Sequence, residues 1–340
     1  MVKNRDFQRA KALVEKSQSV LITTHTRPDG DACGCMAAML EVLAGLDKKV
    51  KLLSPTVVPQ WYQFLFDEKV PVLGSDVKVQ EIIEGRFDGF DLVIIVDTSS
   101  YNQLDEFEKY LKQNAAEDER VPVLVIDHHV TSDRIGDLEL IEPEAAATGL
   151  IVQDFFKYAG WQITQRVAES LFVAVATDTG WFEFNNTDSR VHRRCADLID
   201  AGAKPNEIYD RLYHNFPYSR FRLLVALLNS LELHFDGRYA TVHLLQRDFD
   251  STRSTYADTE NMINECHRIE SVKVSALFVE LKDGRVRCSL RSRCDIDVSQ
   301  IAARFGGGGH KMAAGTYLPG PLENAKNLIS EQVEKRIVRS

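Results

Sequence analysis

Three short segments of this chain end apolar runs in carboxylates and imidazoles. His25-Thr-Arg-Pro-Asp29-Gly-Asp31 follows SVLITT, Asp97 follows DLVIIV, and Asp127-His128-His129 follows VPVLVI. Taken singly, each has a plain structural reading, because Asp and His after a strand form turns or cap the next helix. Asp31, for one, fits the N-cap of a helix over 33–46. The set does not fit that reading. Several carboxylates gathered at one sheet edge repel each other and rise in pKa unless a cation neutralises them. Asp178 adds a separate argument: LFVAVATDTG reads as a buried helix ending at TDTG with Gly180 at C′. A carboxylate in that last turn faces the negative end of the helix dipole and needs a compensating charge.

Carboxylates and imidazoles without thiolates exclude a structural zinc site. They suit Mn²⁺, Co²⁺ or Fe²⁺ better than an all-oxygen Mg²⁺ site. Asp29, Asp31, Asp97, Asp127 and Asp178 with two or three histidines exceed what one ion needs. Two ions roughly 3.5–4 Å apart generate a hydroxide and stabilise charge on phosphoryl oxygens, so phosphoester hydrolysis is the reaction class expected.

A second feature is Phe305-Gly-Gly-Gly-Gly-His310-Lys-Met-Ala-Ala-Gly315. Consecutive glycines let the backbone approach a ligand and offer N–H groups to an anion, the alternative being a flexible loop. SLRSR precedes it on a strand, and Arg291 there can pair bidentately with a phosphate while His310 donates to it. Arg285, Arg287 and Arg293 read as a solvated face. Trp181, Phe182 and Phe184 read as core rather than a base-stacking platform.

The elements that must position these residues follow from periodicity. Strands are expected over 19–24, 49–54, 91–97 and 121–127, with helices near 33–46, 59–66, 78–85 and 103–115. This alternation of apolar strands and amphipathic helices predicts an α/β fold with a parallel sheet covered on both faces. Ligands bind such a sheet at the carboxyl ends of its strands, where the acidic segments lie. From 147 to 213 the pattern is mostly helical, and a connector helix falls near 217–232. A smaller α/β domain follows, with strands near 239–245, 272–281 and 285–292 and helices near 257–267, 298–304 and 322–338. The expected organisation is 1–215 with the metal centre, 216–235 as connector, and 236–340 for substrate binding, with the active site in the cleft between the two domains.

Composition bounds the rest. The chain has 340 residues, 44% hydrophobic and 27% charged, enough for two cored domains. Its net charge of −9 argues against holding long duplex nucleic acid and for a small phosphorylated ligand. The charged N-terminal segment reads as an amphipathic helix rather than a signal peptide, and no apolar run reaches membrane-spanning length. Six scattered cysteines without zinc spacing suggest a reducing, cytoplasmic location.

In order, HTRPDGDA, VDT, DHH and TDTGWF, then SLRS and FGGGGHKMAAG, resemble the DHH phosphoesterase superfamily with its DHH-associated C-terminal domain. The likeness spans nearly the whole chain, and the two-domain size is similar to the bacterial nano-RNase/pAp-phosphatase group. The larger RecJ exonucleases resemble it but carry extra DNA-binding domains. The resemblance implies that His25, Asp29 and Asp97 hold one Mn²⁺, and that Asp31, Asp97, His128 and Asp178 hold the other, with Asp97 bridging. It implies that His129 polarises the scissile phosphate while Asp127 orients a neighbouring histidine. Arg291, Ser292, Gly307, Gly308, Gly309 and His310 are the implied substrate grip. Cys33 and Cys35 stand where an apolar residue and a small one, often serine, are expected. Ala147-Thr148-Gly149 stands where the family often shows Ser-Thr. Neither departure is expected to touch a metal ligand.

The activity implied is Mn-dependent hydrolysis of very short oligoribonucleotides to mononucleotides, dephosphorylation of pAp, or both. Cleavage of linear pApA is an alternative; exopolyphosphatase or pyrophosphatase action, or a non-catalytic nucleotide sensor, stand further off. A sensor should have lost metal ligands, and every expected position is filled. Expected partners are short oligonucleotides or phosphorylated mononucleotides, with a homodimer as candidate assembly.

Overall fold

The computed structural model describes residues 2–87, 89–293 and 295–337. The chain divides into two units, Met1–Asn215 and Phe216–Ser340.

The first unit is built on five parallel strands: β1 (Ser19–Thr23), β2 (Lys49–Leu52), β3 (Leu92–Val96), β4 (Val123–Asp127) and β5 (Leu138–Ile141), in the order β2-β1-β3-β4-β5. Around them run α1 (Asn4–Lys16), α2 (Gly30–Gly45), α3 (Val79–Ile83), α4 (Phe107–Asn114), α5 (Thr148–Ala159), α6 (Gln165–Asp178), α7 (Ser189–Asp200) and α8 (Pro205–Tyr213). Residues β3 and β4 contribute are buried throughout. Ile94, Val96, Leu124 and Ile126 join the core beneath α1, α2, α5 and α6. Val93, Ile95, Val123 and Val125 join the core beneath α3 and α4. Burial on both faces is why these strands read as unbroken apolar runs.

The sequence direction reverses between β1 and β3, the topological switch point at which open α/β sheets bind ligands. Two helices are pressed together beside it. A Cβ on Gly34 of α2 would lie 2.4 Å from the Ser170 carbonyl oxygen and 2.9 Å from Ala174 Cβ, so only glycine lets α2 lie this close to α6. The contact brings the first turn of α2, carrying Asp31, beside the last turn of α6, carrying Asp178. The helix expected to start at 33 starts at Gly30, because Asp29 rather than Asp31 is its N-cap. Its carboxylate accepts from the N–H groups of Asp31 and Ala32, a cap worth about 1 kcal/mol.

The second unit begins with α9 (Tyr218–Asn229), whose buried Leu223 and Leu227 enter that unit's core. Then come β6 (Glu232–His234), β7 (Tyr239–Leu244), α10 (Gln246–Thr252), β8 (Val274–Glu280), β9 (Arg285–Ser292), α11 (Ser299–Ala303), β10 (Gly308–His310), β11 (Ala313–Pro319) and α12 (Leu322–Ile337). They form a mixed sheet in the order β10-β11-β9-β8-β7-β6. The helix expected over 257–267 is two 3-10 segments, Tyr256–Thr259 and Met262–Arg268. Among the described residues no helix is long and apolar enough to cross a membrane.

Candidate metal centre

Each functional side chain of the first unit is aimed by a backbone group. His25 follows β1, and its Nδ1 lies 2.9 Å from the Thr26 carbonyl, so that nitrogen carries the proton and Nε2 points inward. Nε2 lies 3.3 Å from Asp97 Oδ2 and 4.0 Å from Asp29 Oδ1. His128 follows β4 and repeats the device: its Nδ1 lies 3.0 Å from the Ala145 carbonyl. Its Nε2 then faces Asp178 Oδ2 at 3.5 Å, Asp97 Oδ1 at 3.7 Å and Asp31 Oδ2 at 4.0 Å. Asp97 itself leaves β3 with φ +62°, a left-handed conformation unusual for a residue with a side chain. Its N–H is held by the Ile126 carbonyl at 2.9 Å.

Asp127 closes β4 fully buried. One of its oxygens takes His129 Nδ1 at 2.7 Å and the His129 N–H at 3.1 Å; the other takes the Ser99 hydroxyl at 2.6 Å. Asp178 ends α6, Thr179 caps it, and Gly180 adopts φ +56° at C′. Trp181 and Phe182 are also left-handed and make ring contacts to Phe172, while Asn186 donates to the Asp178 and Ala146 carbonyls. Trp181 and Phe182 pack against the core, whereas Phe184, also expected there, is half exposed.

Three groups of candidate ligand atoms lie within 4.8 Å of one another: His25, Asp29 and Asp97; Asp31, His128 and Asp178; and Asp97, His128 and His129. Their electrostatics show strain without a cation. Burial, then the charges of Asp97, Asp178 and Asp29, lifts the Asp31 carboxyl well above the ordinary range. Burial also raises Asp178, to about 7, with Asp29 and Asp97 adding to it against the pull of His128. Burial would raise Asp97 too, but the His25 hydrogen bond and the three imidazoles hold it at about 2. The imidazoles move the opposite way. Burial depresses His25 and His129, yet the Asp97 bond to the first and the Asp127 bond to the second bring both to about 9. Buried carboxylates that push one another toward protonation, beside imidazoles whose Nε2 atoms face them, suit divalent cations. The donor chemistry fits a nitrogen- and oxygen-preferring metal.

Two expectations need correction here. Cys35 and the 147–149 segment do touch candidate ligands. Cys35 Sγ sits 3.4 Å from Asp31 Oδ1, and burial together with Asp31 keeps its thiol protonated as a donor. Thr148 and Gly149 donate to Asp31, and Thr148 also donates to Asp97. Backbone donors such as these, and the Ala145 carbonyl, carry no sequence signature.

In the second unit, Arg291 and Ser292 end β9. Arg291 Nη1 donates to the Leu290 carbonyl at 3.1 Å, and burial, with the nearby charge of Arg287, disfavours its charged form. Ser292 is buried, its N–H on the Met312 carbonyl. The glycine run is not a free loop: Gly308–His310 is the edge strand β10, paired antiparallel with β11. A Cβ on Gly307 would meet the Gly315 carbonyl oxygen at 2.2 Å, so glycine is needed where the chain turns into that strand. The His310 side chain lies outside the described residues. Arg285 is exposed and paired with Asp283, as a solvated face requires. Arg287 departs from that reading: it is half-buried over the Tyr317 ring at 4.8 Å, and its Nε is buried without a partner.

Comparison with known proteins places this geometry. Residues 19–177 match the DHH family, N-terminal domain, and residues 242–339 match the DHHA1 domain. The bifunctional oligoribonuclease and PAP phosphatase NrnA of Thermus thermophilus is 30% identical over 339 residues, covering 97% of this chain and 94% of the relative. Among solved structures, an exopolyphosphatase-related protein from Bacteroides fragilis superposes with a TM-score of 0.91 at 23% identity, covering 98% of this chain and 97% of the other. The exonuclease RecJ bound to manganese superposes with a TM-score of 0.53 at 16% identity, over 97% and 94% of the two chains. These two likenesses concern the fold. With both domains matched in order and a relative aligned over nearly its full length, the chain belongs to the DHH phosphoesterase family, in the group with an N-terminal DHH domain and a C-terminal DHHA1 domain.

Proposed function

We propose that this phosphoesterase hydrolyses very short oligoribonucleotides to mononucleotides and dephosphorylates pAp; its Thermus relative is named a bifunctional oligoribonuclease and PAP phosphatase. The observation that carries the reading is the pair of ligand groups His25–Asp29–Asp97 and Asp31–His128–Asp178, with Asp97 beside His128 as well. In this reading each group would hold one divalent ion, with Asp97 shared between them, and the ion would be Mn²⁺, the metal named for the bound RecJ neighbour. When bound, the ions supply a hydroxide nucleophile and neutralise charge on the phosphoryl oxygens.

The chain's own residues do the rest. The Thr26 and Ala145 carbonyls hold the Nδ1–H groups of His25 and His128, leaving each Nε2 as a ligand. His129 stands within reach of Asp97 and His128 but spends Nδ1 on Asp127. The Asp127 bond at Nδ1 leaves His129 Nε2 as the nitrogen that would face a phosphate oxygen. Residues 1–215 act as the catalytic domain and 216–235 as connector. In residues 236–340, Arg291, Ser292, Gly307, Gly308, Gly309 and His310 take the end of the substrate that is not cleaved. Holding one end while the other is cut confines productive binding to short chains. The protein works in the cytoplasm, as a homodimer, on small substrates rather than long duplexes.

The test is a panel of initial rates with Mn²⁺ on pAp, pApA, an RNA ladder and polyphosphate, with Asp97→Ala and His128→Ala as controls. The reading expects fast turnover of pAp and of the shortest RNAs, falling with length and lost in both variants. Turnover of polyphosphate alone would overturn it.

A further inference from the structure

The first turn of α5 makes contacts that a helix start does not need for its own sake. Thr148 is N1 of that helix, after the extended Ala147, and is completely buried. Its N–H donates to Asp31 Oδ2 at 2.6 Å, across 117 positions of sequence. Its hydroxyl donates to Asp97 Oδ1 at 2.9 Å. The next N–H, of Gly149, takes Asp31 Oδ1 at 2.9 Å, the oxygen that Cys35 Sγ also approaches. One residue therefore ties the carboxylate that opens α2 to the one that ends β3, and both are nearly inaccessible to solvent.

The geometry points to Thr148 as a positioning residue: its hydroxyl and N–H set the rotation of Asp97 and Asp31, and so shape the metal centre before any ion arrives. The inference rests on the reading of these aspartates as metal ligands. Several features support it. A buried hydroxyl has no water to fall back on, so the Asp97 bond is its outlet. Threonine is stiff at χ1, which fixes where that hydroxyl points. A helix N-terminus stabilises the anion its N–H groups face, so the Thr148 and Gly149 N–H groups hold Asp31 in place as an acceptor. Asp97 has His25 Nε2 3.3 Å from Oδ2, so the Thr148 bond at Oδ1 leaves its carboxylate pinned at both oxygens.

The experiment compares wild type with Thr148→Val, Thr148→Ala and Thr148→Ser in the full chain. Mn²⁺ affinity is read by calorimetry without substrate, and folding by circular dichroism. Loss of an outer partner of a metal ligand weakens metal binding by about 10- to 100-fold, the drop expected for the valine and alanine variants. Serine, which keeps both donors, should recover all but about twofold of it. With Mn²⁺ limiting, kcat of the valine variant should fall while KM for pAp holds, a split that a mere packing defect would not give. Should the valine variant misfold, the alanine variant, which adds no atoms, decides the matter. A folded variant lacking the hydroxyl that binds Mn²⁺ as tightly as wild type would overturn the inference. Failure of the wild type itself to bind Mn²⁺ would instead remove the metal-centre reading beneath it.

Discussion

The candidate metal centre and the arginines of β9 differ in how the chain holds their side chains. In the first unit most candidate ligands have a hydrogen bond to the protein that sets their orientation: His25, His128, Asp29, Asp31 and Asp97. In the second unit the donors are left open. Among the described residues, Arg291 donates to a carbonyl of its own strand and the buried Arg287 Nε has no hydrogen-bond partner, whereas exposed Arg285 is paired with Asp283. Under the proposed function, reaction chemistry would need fixed geometry, and these hydrogen bonds would supply it. Under the proposed function, the β9 arginines would offer their donors to an anionic substrate.

The contrast can be broken at several points. Removing Asp97 takes a ligand from both groups at once, so Asp97→Ala should cut kcat by on the order of 10³-fold or more and abolish tight Mn²⁺ binding. Colorimetric phosphate release and metal analysis of the same sample would check it. His129→Ala should lower kcat by about 10²- to 10³-fold while metal content stays at the wild-type level. Equal loss of metal would make His129 a ligand instead. Arg291→Met belongs to the other region: KM for pAp should rise by about 10- to 100-fold, with metal affinity untouched.

The smallest effect concerns the scaffold that carries both groups of ligands. Burial would raise the Glu142 carboxyl, but Arg190 outweighs it and holds the group below its usual value. A depressed carboxyl adds stability above its unfolded pKa, and the gain vanishes as pH falls through the folded value. Glu142→Gln should therefore lower Tm at pH 7 by about 2–4 °C. That gap should begin to narrow below the ordinary glutamate pKa of about 4.3 and close once pH has fallen through the lower folded value. A gap independent of pH would show that Arg190 contributes nothing through this charge.

Legibility in the sequence tracked the size of the signal. β1, β3 and β4, buried on both faces, stand out as apolar runs, and the acidic segments follow them directly. β5 escaped because four residues with Glu139 in the middle give too little alternation to read. β10 and β11 escaped because glycine and alanine dominate them, and their pairing depends on close backbone approach rather than on side-chain pattern. In the candidate centre, residue types mark the candidate ligands, but the groups that orient them leave no mark in the sequence. Thr148, Gly149 and the Ala145 carbonyl act through backbone atoms or through an ordinary hydroxyl, and only the fold brings them to Asp31, Asp97 and His128. Arg287 misled for a related reason, since nothing in RVRCSLRS distinguishes a solvated arginine from one laid over a tyrosine.

The central claim is that six side chains, His25, Asp29, Asp31, Asp97, His128 and Asp178, form one binuclear centre. Its most direct test is the stoichiometry of Mn²⁺ bound per chain, measured by calorimetry and elemental analysis on wild type and Asp97→Ala. The account predicts two ions in the wild type and the loss of both tight sites in the variant. A single ion in the wild type, or two tight sites surviving without Asp97, would contradict it.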